Sequence, residues 1–204
     1  MTQTDLLHTG RSALPRAAAA GRFLGWRTLV LACGAGVASA AVGQVLGRSV
    51  HLAWPIPASG SVVAALPRAL ILLALLTRVN RFGVLTAAAL AEAGTRLALG
   101  TGAMWPISVA GPVLGNLAGD VLWHGLRALP LRPVRLMLTG AGLCAARVLI
   151  ALAGWSVLGP MLLKVYPGLG RVHVGIVAIN VVAGVIGGLV IGLPRRGARV
   201  GSEK

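Results

Sequence analysis

The chain is poor in acid. Among 204 residues only four are Asp or Glu, against 19 Lys and Arg. Asp5 and Glu203 lie near the ends, while Glu92 and Asp120 sit inside apolar runs. Charged residues of both signs amount to 11% and aromatics to 4%, which does not describe an ordinary water-soluble domain. The two cysteines, Cys33 and Cys144, lie in apolar runs outside any CxxC or Cys/His pattern, so both read as small apolar residues. Histidine is equally sparse. His124 and His173 are far apart with no second His at ligand spacing, so neither a metal nor a cofactor is expected. There is no Walker motif, no G-x-S-x-G and no H-E-x-x-H, so no catalytic residue is assigned.

What is abundant is hydrocarbon. Hydrophobic residues make up 56%, mean hydropathy is +0.85, and several runs approach bilayer-spanning length. The expected fold is all-α: a polytopic membrane protein of six helices, Thr28–Gly47, Val62–Thr77, Gly83–Gly100, Pro106–Gly125, Val134–Leu158 and Val172–Leu193. Residues 1–27 then form a basic N-terminal segment, 28–193 the transmembrane domain and 194–204 a basic tail. Ala38-Ser39-Ala40 has the form of a signal cleavage site, but the apolar run continues through Val45-Leu46, which favours a retained span.

The net charge of +15 does not mark a nucleic-acid binder, because the basic residues cluster in alternate connectors. Arg11, Arg16, Arg22 and Arg27 precede the first span; Arg78 and Arg81 follow the second; Arg127, Arg132 and Arg135 follow the fourth; three Arg and Lys204 occupy the tail. The positive-inside rule then puts both termini in the cytoplasm, of a bacterial inner membrane. Trp54, Trp105 and Tyr166 fall in the outward loops.

With that orientation, a rise of about 1.5 Å per residue assigns depths. Glu92, Asn116, Arg147 and Asn180 fall in one mid-membrane layer from four helices. Arg96 is one turn outward of Glu92 and can pair with it at i, i+4. Trp105, Trp155 and His173 lie toward the outer end. These eight residues form the candidate ligand-binding set, since ionisable groups inside a membrane mark functional sites by default. The competing reading is an ion-pair network in which Glu92 neutralises Arg96 or Arg147. Asp120, one turn deeper than Asn116, reads as structural, with Arg127 or a partner subunit as its match. Small residues recur every four positions at Gly111, Gly115 and Gly119, at Gly184, Gly188 and Gly192, and at Ala32, Gly36 and Ala40. The first two series suit close packing within the monomer; the third suits either that or contact with another subunit.

The stretch GVLTAAALAEAGTRLALG, a short loop with Pro106, then GPVLGNLAGDVLW, resembles the substrate-binding S component of an energy-coupling-factor (ECF) vitamin transporter, in its YkoE-like, thiamine-related branch. The motif likeness covers residues 78–127; beyond them it rests on topology. The resemblance implies a thiamine-like or hydroxymethylpyrimidine-like ligand that meets Glu92 and enters from outside. It also implies a transmembrane coupling subunit, contacted through Ala32, Gly36 and Ala40, and two ATPase subunits. One feature departs from a cationic ligand: Arg68, Arg96 and Arg147 outnumber Glu92 and Asp120, which leaves a neutral or anionic precursor open. An intramembrane enzyme acting on lipids, or a small proton-coupled carrier, would draw on the same polar layer.

Overall fold

The computed structural model describes residues 24–53, 59–100, 105–158 and 169–193. The described residues are helical, without a strand: α1 Trp26–Ala53, α2 Ser59–Val79, α3 Val84–Ala98, α4 Trp105–Gly125, a 3₁₀ turn Leu126–Ala128, α5 Arg132–Leu158 and α6 Leu169–Gly192. Each helix lies against the next around a closed ring, in the order α1, α2, α6, α5, α4, α3 and back to α1. The interior is filled by Leu72, Leu73 and Leu76 of α2, Leu85 of α3, and Leu136 and Leu143 of α5, all buried.

Outward, the ring presents bare hydrocarbon: Val30, Val37 and Val45 on α1, Leu90 on α3, Leu117 and Val121 on α4, and Val174, Val182 and Val190 on α6 are exposed. Water would not tolerate this surface, whereas lipid does, because each helix satisfies its own backbone. Among the described residues, four helices are long and apolar enough to cross a membrane: α1, α2, α5 and α6. The sequence expectation was six. The other two helices differ in length and composition. α3 has 15 residues, about 22 Å of helix against a hydrocarbon core of about 30 Å. α4 has 21 residues and carries Pro106, Pro112, Asn116 and Asp120 among its apolar ones.

The α2–α3 turn sets the start of α3. Asn80 (φ 46°) and Gly83 (φ 85°) both take the left-handed conformation, which Asn and Gly adopt at least cost. At the other end Gly100 (φ 77°) closes α3, donating its N–H to Leu97 O at 3.1 Å, in the manner of a glycine C-cap.

The small-residue series act within the chain. A side chain at Gly36 would run into the Ala88 carbonyl of α3, one at Gly184 into the Gly140 carbonyl of α5, and one at Gly188 into that of Leu136. Ala32 and Ala40 are fully buried. The expectation that Ala32, Gly36 and Ala40 face a coupling subunit is thereby corrected: the series faces inward to let α1 approach α3 closely. The other face of α1, bearing Val30 and Val37, is the exposed one.

Candidate functional site

Glu92 is two turns into α3 and has no solvent exposure. Its Oε1 accepts from Arg96 Nη2 at 2.6 Å and from Arg147 Nη2 at 2.5 Å, and its Oε2 accepts from Ser39 Oγ at 3.0 Å. Arg147 in turn donates Nη1–H to Asn116 Oδ1 at 3.1 Å, and the Asn116 amide donates to Leu85 O at 3.0 Å. Arg68, on α2, donates Nε–H to Ser39 O at 3.2 Å. One network thus joins α1, α2, α3, α4 and α5. Guanidinium is suited to this position because its planar fork donates to several acceptors at once, and in low dielectric such charge-assisted bonds are strong.

The arginines fit because glycines make room for them. A side chain at Gly43 would occupy the place of the Arg68 guanidinium, and one at Gly115 would meet the Arg147 stem. Alanine or larger at either site would displace the cation. The glycine series of α4 therefore has a task beyond helix approach.

A cavity of about 160 Å³ opens next to this network, between α2, α3, α4, α5 and α6. Its polar lining comes from Arg68, Arg96, Arg147, Ser61, Ser108 and Asn180, and Leu143, Val148 and Pro112 supply apolar wall. Ser61 and Ser108 stand in the first turns of α2 and α4, and Arg96 in the last turn of α3, so the cavity belongs to the end of the bundle opposite the α2–α3 turn. Its volume is close to that of an apolar protein cavity able to hold a benzene ring. Asn180 donates to Ile176 O at 2.8 Å and reaches Ser61 Oγ at 3.5 Å, which holds its amide at the rim.

Of the residues expected from sequence, the structure brings together Glu92, Arg96, Asn116 and Arg147 through hydrogen bonds, and adds Asn180 through the shared cavity. The role expected of Glu92 changes. It does not line the cavity; it lies behind Arg96 and Arg147, with both oxygens taken by protein donors. A carboxylate so enclosed orients the cations and is not itself presented to a ligand. His173 is half-buried near the start of α6 and lies outside the cavity lining. Trp105 begins α4 and Trp155 lies in α5; their side chains fall outside the described residues. Arg68 was recognised as an intramembrane charge but not assigned to the site. Its signal was present: an Arg in an otherwise apolar span.

A second polar cluster lies at the other end. Asp120 accepts from the backbone N–H of Leu85 (3.3 Å) and Thr86 (2.9 Å) and from Thr86 Oγ1 (2.8 Å). Gly83 precedes α3 and supplies no side-chain cap. Asp120 fills that place from the neighbouring helix, meeting free N–H groups and the positive end of the helix dipole. Neither Arg127 nor a partner subunit is needed to explain it. Beside it, Trp123 donates Nε1–H to Asn80 Oδ1 at 2.8 Å, and the Arg135 guanidinium stacks 3.6 Å over the Trp123 ring. His124 packs on Phe82. Among the described residues no group of His, Cys, Asp or Glu could hold a metal.

No family model matches the chain, and no curated protein or solved structure is significantly similar to it.

Proposed function

We propose that the protein is a membrane solute-binding subunit that captures a small molecule at the outer face, in the manner of the S component of an ECF transporter. The observation that carries this reading is the arginine-lined cavity. It opens among the ends of α2, α3 and α4 away from the basic residues Arg78, Arg81, Arg127 and Arg132, which the positive-inside rule assigns to the cytoplasm. On that assignment α3 and α4 complete a six-span bundle with both termini inside, in a bacterial cytoplasmic membrane.

Such a protein binds and does not transform its ligand. Without an ATP-binding motif, uptake requires partners: a transmembrane coupling subunit and two ATPases. The ligand class is a vitamin or vitamin precursor, of which hydroxymethylpyrimidine, a single ring with small substituents, suits the cavity better than whole thiamine. The ring would lie against Leu143 and Val148 while the polar rim fixes its orientation.

The test is a thermal-shift panel of vitamins and precursors on the purified protein in nanodiscs. A binding subunit is stabilised by one or a few related members, since any ligand favouring the folded state raises its melting temperature. Failure of the whole panel, together with failure of the tagged protein to co-purify an ATPase from its native membrane, would refute the reading.

A further inference from the structure

The cavity wall is more cationic than the fold requires. Arg68, Arg96 and Arg147 all line it, and Arg68 lies within electrostatic range of the other two. Among the described residues the single carboxylate bound to this group is Glu92, behind the wall. Asp120 is held by the α3 backbone and takes no part. Three guanidinium groups facing one carboxylate leave two positive charges in a setting where uncompensated charge is costly. If packing were the whole purpose, an uncharged side chain at Arg68 would serve at lower cost.

The other polar groups of the wall agree in kind. A guanidinium offers five N–H donors and no acceptor, and Arg96 Nε is buried without an acceptor. Ser61 and Ser108 bring hydroxyls to the same space. Among the described residues no carboxylate lines it. Gly43 and Gly115 keep the positions of the Arg68 and Arg147 side chains open, so the cations are held in place by the surrounding helices. Donors converging on a small open cavity, with apolar wall beside them, fit a planar or tetrahedral oxyanion attached to a small ring.

We infer that the cavity is an oxyanion site: it takes the carboxylate or phosphate of a small molecule, with Arg68, Arg96 and Arg147 as donors and Glu92 as the positioning residue that holds two of them. This rests on the reading of the cavity as a ligand site and narrows it to acidic solutes: a cation such as thiamine would meet net repulsion, and hydroxymethylpyrimidine would qualify only as its phosphate. The oxyanion belongs either to a soluble solute or to a lipid headgroup.

The experiment uses the full chain in phosphatidylcholine nanodiscs at pH 7 and three probes of one shape: benzoate, benzamide and benzylamine. Benzoate is expected to raise the melting temperature by a few degrees at about ten times its dissociation constant, with benzamide weaker and benzylamine without effect. Arg68→Lys, which keeps the charge but loses the fork, should weaken benzoate roughly tenfold, and Arg68→Met more. Circular dichroism checks that each variant is folded, and Arg68→Lys decides if Arg68→Met is not. The inference is overturned if benzamide or benzylamine binds as tightly as benzoate, or if benzoate binding is unchanged in the folded Arg68 variants. Discs containing phosphatidylglycerol separate the two sources: suppression of benzoate binding assigns the site to a headgroup phosphate, and unchanged binding to a soluble oxyanion. If benzoate fails while a neutral or cationic vitamin stabilises the protein, the oxyanion inference falls and the solute-binding reading survives. If nothing binds, the oxyanion inference falls, and the solute-binding reading falls with it when no ATPase co-purifies.

Discussion

At the residue scale, Glu92 decides how the site is understood. Its carboxylate, fully buried, is shared by Arg96, Arg147 and Ser39. Removing one member of a buried ionic group costs about 3–5 kcal/mol, because the remaining charges lose their compensation. Glu92→Gln should therefore lower the melting temperature by roughly 10 °C in a chain of this size. From sequence, Glu92 has two readings, a ligand-binding carboxylate or the partner of Arg96 or Arg147. The geometry now makes stability the first thing lost, and any loss of affinity follows from misplaced arginines. Arg147→Lys should retain the ion pair with Glu92 but lose the bond to Asn116, since one ammonium cannot reproduce the fork. Its melting temperature should fall by less than that of Glu92→Gln, measured in the same nanodiscs. The Glu92–Arg96 pair was legible because i, i+4 spacing is a property of one helix. The mid-membrane layer of Asn116 and Arg147 was legible from depth alone. The inward turn of Glu92 was not, since depth gives no azimuth.

At the element scale, α3 is the short helix that others complete. Its first turn has no cap of its own, and Asp120 provides one from α4. Asp120→Ala should cost about 1–2 kcal/mol, the usual value of an N-cap. The loss should be local, read as faster amide exchange at Leu85 and Thr86 than in the rest of α3. Sequence offered Arg127 as the match for Asp120 because side chains were the visible candidates. The true partners are backbone N–H groups from a helix 34 and 35 residues away, which no spacing rule reveals. Glycines give a paired prediction. Gly94 has nothing within reach of an added side chain, whereas one at Gly184 would collide with the Gly140 carbonyl. Gly94→Ala should be neutral or stabilising by up to about 1 kcal/mol, and Gly184→Ala destabilising, by comparison of their melting temperatures. The four-residue glycine period announced close packing, but not that Gly43 and Gly115 would each make space for an arginine.

For the whole molecule, the six described helices close a ring whose one end holds Trp123 bonded to Asn80 and stacked under Arg135, while the other holds the cavity. The exposed hydrocarbon of every face follows from composition, and so did the all-helical fold. The closure order did not, because it depends on which small-residue face meets which; the inward turn of Ala32, Gly36 and Ala40 is the clearest instance. Cys144 lies in the cavity wall beside Arg147 and is a free thiol, so it can report on access and charge together. In a Cys33→Ser background reconstituted in proteoliposomes, Cys144 can be converted to a mixed disulfide, with release of methanesulfinate, by paired methanethiosulfonate reagents, one sulfonate and one ammonium. The account predicts labelling from the outer face, faster with the anionic reagent, and slowed by any ligand that stabilises the protein. Labelling only from the cytoplasmic face, or faster labelling by the cationic reagent, would contradict it.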